Sequence, residues 1–179
     1  PDGRPEQLRH AIEGSLKRLR LECIDLYQFH APDPRVPFVD SVGALAQAQR
    51  AGKIRHIGLS NVSVAQLKAA ERIVEVVSVQ NEYNLGERAS EDVLAACAQR
   101  GIAFLPWYPL GAGSVLRSVK VKRVAARYRA TAAQVALAWL LAHSPVMLPI
   151  PGTHSVAHLE ENVAAAALRL SPEDLTTLG

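Results

Sequence analysis

The sequence predicts an α/β fold built on a parallel sheet. Five short apolar runs, at 24–29, 54–59, 76–80, 102–107 and 146–150, are each bounded by turn signals and too short for a helix. Amphipathic helical patterns separate them. The starts of the runs lie roughly 22 to 44 residues apart, which leaves room for a crossover helix between parallel strands. Continuously apolar strands joined in this way need both sheet faces covered by helices.

The helices follow in order. In PEQLRHAIEGSLKRL, Leu8, Ile12, Leu16 and Leu19 recur on one helical face with charges opposite. Pro5 suits the first turn, where its missing N–H has no partner to lose. A second helix spans 38–51, and Gly52 takes the left-handed position after it. Ser63-Val64-Ala65-Gln66 is a capping-box pattern opening a third. A fourth spans 89–99 and is closed by Gly101. Thr131-Ala132-Ala133-Gln134 is another capping box, ahead of the apolar VALAWLLAH. The last two helices span 155–166 and 171–178, the latter with Ser171 as cap and Pro172 in the first turn.

Composition bounds the rest. The 179 residues suffice for one domain with a sizeable core, and 49% apolar with 21% charged residues is a globular balance. Net charge is +3 and the sequence pI is about 9.1. The one basic stretch, Arg117 to Arg129, lacks interleaved aromatics, so it reads as a solvated helix face and no nucleic-acid partner is expected. Cys23 and Cys97 read as small buried residues in a reducing compartment, which implies a cytoplasmic location. No run is long enough to span a bilayer, no signal peptide is visible, and no membrane partner is expected. The first residue is Pro and no strand precedes the first helix, which is the pattern of a chain cut from something longer.

An open doubly wound sheet and a (β/α)₈ barrel both satisfy this order, and both meet ligands at the carboxyl ends of their strands. No G-x-G-x-x-G follows any run. The five ends read His30; Ser60-Asn61; Gln80-Asn81; Trp107-Tyr108; and Pro151-Gly152-Thr153. No lysine ends a strand, so there is no Schiff-base signal. No paired carboxylates or His/Cys spacing appear, so no metal is expected. Neutral amides and hydroxyls, a flat indole and one imidazole remain. That set fits a nicotinamide: Trp107 stacks on its face, and Ser60, Asn61 and Gln80 satisfy a carboxamide that both donates and accepts.

The motifs DLYQFH, GKIRHIGLSN, VQNEYN, LPWYPLGAG and IPGTHSVAHLEEN, in this order, resemble the aldo-keto reductases, most closely the bacterial subgroup with IPGT followed by HLEEN. The resemblance covers essentially the whole chain. It implies a (β/α)₈ TIM barrel, of which residues 1–179 would form a single domain carrying strands four to eight with their helices. It implies NAD(P)H-dependent reduction of small aldehydes or ketones to alcohols, with NADP(H) favoured over NAD(H). His30 would orient or polarise the carbonyl. Ser60, Asn61 and Gln80 would hold the carboxamide, and Trp107 would stack on the nicotinamide. Tyr108, Pro109, Leu110 and Gly111 would line the pyrophosphate loop. Gly152, Thr153, His158, Glu161 and Asn162 would surround the adenosine end.

Two departures stand out against that pattern. Gly152 and His158 occupy positions where the family often has a cation, and a histidine grips phosphate less firmly than an arginine fork. The family's catalytic Asp, Tyr and Lys lie on its first three strands, and Tyr27, Tyr83, Tyr108 and Tyr128 do not match the catalytic tyrosine. The expectation is that the chain alone is inactive and, with unpaired sheet edges, prone to aggregate. A non-catalytic nucleotide-binding module on the same barrel is the alternative. The sequence leaves substrate identity and oligomeric state open.

Overall fold

The crossover spacing is realised as an α/β structure with a parallel sheet. The computed structural model describes residues 1–179 and divides into two compact units, Pro1–Gln80 and Asn81–Gly179.

The first unit runs α1 (Pro5–Leu19), β1 (Ile24–Phe29), α2 (Phe38–Arg50), β2 (Ile54–Ser60), α3 (Val64–Glu71) and β3 (Val76–Gln80). Its strands are parallel, with Gln28 beside Gly58 and Gly58 beside Ser78, then Ser60 beside Gln80 one pleat further on. Side chains alternate between faces. One face buries Phe29, Ile57, Leu59 and Val79 with Leu45 and Leu67 from the helices. The other carries the polar row Gln28, Ser78, Ser60 and Gln80. In α1, Leu8, Ile12 and Leu16 are buried as the periodicity requires, whereas Leu19 is 57% exposed. It is the last residue before the left-handed cap Arg20, where the helix leaves its packing surface. Ser63 and Gln66 exchange both bonds of the expected capping box. Gly52 has φ 73° after α2, and its N–H donates back to the Gln49 carbonyl.

Asp33, between the two prolines that stop the chain after β1, is a buried anchor. Its carboxylate accepts from the Gly3 N–H at 3.1 Å, from the Arg35 N–H at 3.0 Å and from the Arg35 guanidinium at 2.9 Å. Those bonds hold the carboxyl well below the usual carboxylate range, the Arg35 side chain contributing most.

The second unit runs α4 (Glu91–Arg100), β4 (Ala103–Phe104), two 3₁₀ turns (Gly111–Gly113 and Val115–Arg117), α5 (Val119–Tyr128), α6 (Ala132–His143), α7 (Val156–Ala164), a third 3₁₀ turn (Ala165–Ala167) and α8 (Pro172–Leu178). The expected fourth strand is cut to two residues. The fifth is not a strand: the run 146–150 makes a single parallel bridge, Met147 to Phe104. Proline explains both, because Pro106, Pro149 and Pro151 have no N–H to continue a ladder. The apolar helix α6 is the core of this unit, with Val135, Leu137, Trp139 and Leu140 buried. α5 turns Val121 and Val124 inward and leaves Lys120, Lys122 and Arg123 in solvent. α7 buries nothing, and Val156, Leu159 and Val163 form an exposed apolar stripe.

Beside α6 lies a proton-sharing cluster. The buried Tyr83 hydroxyl donates to Glu91 Oε2 at 2.5 Å and lies 2.8 Å from His143 Nε2, which is 2.9 Å from Glu91 Oε1. Tyr83 and His143 both stack with Trp139, and Arg88 sits 4.5 Å over the Trp139 ring. Burial, then the Glu91 carboxylate, pushes the Tyr83 hydroxyl well above the usual phenol range. Cys97 is buried and Cys23 only partly so. No helix is long and apolar enough to cross a membrane.

Candidate cofactor site

In the first unit the strand-end residues form a connected set. The Ser60 hydroxyl, buried at the end of β2, donates to the Gln80 carbonyl at 2.7 Å. Asn61 Nδ2 donates to Ser60 Oγ at 3.1 Å and to the His30 carbonyl at 3.0 Å, and its backbone N–H donates to the Gln80 carbonyl. Asn61 has φ 57°, a conformation uncommon outside glycine and tolerated best by Asn and Asp. His30, just past β1, is held through its backbone and leaves its ring exposed. These bonds bring His30, Ser60, Asn61 and Gln80 together, His30 and Gln80 through their backbone carbonyls. Below them, Gln28 Nε2 donates to the Leu59 carbonyl at 3.1 Å, and the Ser78 hydroxyl donates to Gln28 Oε1 at 3.1 Å. Sequence reasoning missed Gln28 and Ser78, although their period-2 spacing from His30 and Gln80 was visible.

In the second unit a cavity of about 810 Å³ opens among residues that follow β4, residues 150–153 and the helices α6 and α7. Trp107, Tyr108, Pro109, Leu110, Gly152, Thr153, His158, Glu161 and Asn162 all line it. Gly111 does not reach the wall. It turns the chain at φ 57°, and a Cβ there would lie 2.5 Å from Ser114 Oγ, so its part is to let Ala112 and Gly113 face the cavity. Trp107 and Tyr108 meet edge to face, their ring centroids 4.9 Å apart. Tyr108 has φ 49°, a genuine outlier for an aromatic residue, at the mouth of the cavity.

α7 presents His158, Glu161 and Asn162 at i, i+3 and i+4, on one face. Ser155 Oγ accepts from the His158 N–H at 3.4 Å, and Thr153 Oγ1 accepts from the Ser155 N–H at 3.1 Å. The N–H groups of Val156 and Ala157 have no acceptor within the helix, so the start of α7 is electropositive. The structure adds Thr131, Ala132 and Ala133, from the first turn of α6, to the wall. The only signal for them was a capping box followed by two small residues.

The volume lies in the range of small-molecule sites. The lining is largely apolar with a flat aromatic wall, and its polar groups gather toward α7. No lysine or arginine lines it, and the chain has no cluster of three His, Cys, Asp or Glu able to hold a metal ion.

Residues 1–179 match the Aldo/keto reductase family over their full length. The chain belongs to this family. This aldo/keto reductase chain is 48% identical over 174 residues to an uncharacterized oxidoreductase of Schizosaccharomyces pombe, covering 97% of the chain and 57% of that protein. It is 46% identical over 180 residues to pyridoxine 4-dehydrogenase of Escherichia coli, covering 97% of the chain and 63% of that enzyme. It therefore spans about three-fifths of the length of these curated relatives.

Solved structures of the family superpose closely on this chain. A thermostable aldo-keto reductase bound to the inhibitor epalrestat aligns with TM-score 0.89 at 36% identity, over 98% of this chain and 66% of that one. An aldo/keto reductase of Klebsiella pneumoniae, crystallised with NADP and acetate, aligns with TM-score 0.85 at 30% identity, over 96% and 63%.

Proposed function

We propose that this chain carries the cofactor-binding part of an NAD(P)H-dependent reductase acting on small aldehydes or ketones. The observation that carries the reading is the cavity of the second unit, where a flat aromatic wall and the electropositive start of α7 open into one apolar space. A bound reduced nicotinamide supplies the hydride that a carbonyl carbon accepts. Trp107 would stack on the nicotinamide. Ser60, Asn61 and Gln80 would hold its carboxamide, which needs donors and acceptors together. The loop from Tyr108 to Gly111 would follow the pyrophosphate. Gly152, Thr153, His158, Glu161 and Asn162 would surround the adenosine, with the first N–H groups of α7 offered to a phosphate. The donor set fits a dinucleotide, and NADP(H) is favoured over NAD(H), as in the Klebsiella pneumoniae relative crystallised with NADP.

His30 would orient or polarise the substrate carbonyl. Tyr108 stands exposed at the cavity mouth but does not match the family's catalytic tyrosine, and the other three tyrosines are not free to give a proton to the carbonyl oxygen. Tyr83 is locked against Glu91 and His143, and Tyr128 donates to Asp174 at 2.8 Å. Tyr27 is half-buried, and burial raises it above the usual range. We therefore expect residues 1–179 to bind the dinucleotide without turning over a carbonyl. The same observation favours, as a second reading, a nucleotide-binding module without catalysis.

The test is titration of NADPH and NADH into the chain while tryptophan emission is followed. The chain has a second tryptophan, Trp139, buried in α6, so the Trp107→Ala variant is what separates the two signals. Binding that Trp107→Ala weakens about tenfold or more, the scale of a lost stacking contact of roughly 1–3 kcal/mol, supports the reading. No heat of binding for either dinucleotide by calorimetry would sink it.

A further inference from the structure

Asn84 does not line the cavity, yet the residue is 2% exposed and both polar atoms of its side chain are hydrogen-bonded. Oδ1 accepts from the Gly86 N–H at 2.8 Å and from the Glu87 N–H at 3.0 Å, closing a tight turn. Nδ2 donates to the carbonyl of Tyr108 at 3.0 Å. The orientation of the amide is fixed by this pattern, since a flipped group would set N–H against N–H on one side and oxygen against oxygen on the other. The same Tyr108 carbonyl accepts from the Gly111 N–H at 2.8 Å, so one oxygen anchors both the cross-chain tether and the turn that follows.

That carbonyl belongs to the residue with the least comfortable backbone on the wall. Tyr108 has φ 49° and carries an aromatic ring, 57% exposed, at the cavity mouth. An L-residue of this bulk relaxes out of the left-handed region unless its surroundings hold it there. Its N-terminal neighbour is held by the ladder, with the Trp107 N–H donating to the Asn81 carbonyl at 3.0 Å. On the C-terminal side Pro109 offers no N–H. The Trp107 carbonyl accepts from the Tyr83 N–H at 3.4 Å, and the Tyr108 carbonyl accepts from the local Gly111 N–H and from the Asn84 amide, the one side chain that reaches it from outside the turn.

We propose that Asn84 is a positioning residue for the cavity: by holding the Tyr108 carbonyl it keeps Tyr108 left-handed and sets the wall from Tyr108 to Gly113 on which the ligand lies. The geometry stands without a ligand; the consequence for binding rests on the dinucleotide reading of the cavity. The two roles of the side chain separate chemically. Asn84→Asp keeps an oxygen for the Gly86 and Glu87 N–H groups and places a carboxylate oxygen against the Tyr108 carbonyl. Asn84→Ser keeps a turn-forming acceptor, adds no charge, and is too short to reach Tyr108.

The experiment measures, in the 179-residue chain and both variants, amide exchange of Gly111 by NMR and the dissociation constant for NADPH. The inference expects Gly111 exchange about tenfold faster in each folded variant, the scale of one lost hydrogen bond, with the exchange of α6 unchanged. It expects NADPH affinity to fall by a similar factor. Gly111 exchange at the wild-type rate in either variant overturns the positioning role. So does faster exchange with an unchanged dissociation constant. If the wild-type chain binds no NADPH, the exchange data alone decide the positioning role, and only the dinucleotide reading falls.

Discussion

Gly58 lies directly under the side chain of Gln28: a Cβ built on Gly58 would come 1.9 Å from Gln28 Oε1 and 2.4 Å from Ser78 Oγ. The missing side chain on β2 is the slot through which an amide on β1 reaches a hydroxyl on β3. Gln28 grips the Leu59 carbonyl from that slot, and so fixes the peptide that leads into Ser60 and Asn61.

Gly58→Ala should therefore destabilise the first unit by about 1–3 kcal/mol, the range for overpacking a filled interior. In a Gln28→Ala background the same substitution should cost clearly less, because the amide it strikes is gone. Urea denaturation of the two single variants and the double variant measures the coupling. Strict additivity would remove the slot.

Asp33 makes the first unit acid-sensitive. Its carboxyl sits below the ordinary value of 3.8 when folded, held there by Arg35 and Gly3. A depressed folded pKa contributes stability that is present above the unfolded value and is lost as pH falls through the folded one. Stability should hold down to about pH 4, the unfolded value for Asp, and decline below it. Asp33→Asn should lower stability at neutral pH and flatten that acid limb. Parallel acid limbs for the two proteins in pH-dependent melting would refute it.

His158→Arg should shift binding toward the 2′-phosphorylated dinucleotide. A guanidinium fork grips phosphate more firmly than an imidazole, and no arginine or lysine lines the cavity as it stands. The ratio of NADH to NADPH dissociation constants should rise about tenfold at low salt and less at high salt. A ratio that does not move means that His158 does not face the 2′ position.

Ser63→Ala removes the hydroxyl that accepts from the Gln66 N–H at the start of α3. Losing such a cap costs about 1 kcal/mol. Melting of the variant should fall by a few degrees, while Ser63→Asp should lose little because a carboxylate serves the same N–H groups.

Features with local causes were legible from residue order alone. The bounds of α1, β1 and β3 and both capping boxes follow from periodicity and from side chains a few residues apart. The cavity-lining set Trp107–Leu110 with His158, Glu161 and Asn162 was legible through motif resemblance, and the geometry gathers it in one place. What escaped depends on partners distant in sequence. The Gln28 bridge exists only because the register sets Gly58 and Ser78 beside it. The run 146–150 has the composition of a strand, yet Pro149 within it and Pro151 after it limit it to one bridge. The left-handed Tyr108 carries no glycine to announce it, and the amide that tethers it lies 24 residues away.

The arrangement around Tyr83 also settles where one hydrogen must reside. An ionised Glu91 can only accept, and the Tyr83 hydroxyl has already given its single hydrogen to it. His143 Nε2 faces those two oxygens, so it has to be the donor whatever the charge of the ring. The neutral imidazole is therefore a single tautomer, readable in nitrogen chemical shifts as a protonated Nε2 beside a bare Nδ1.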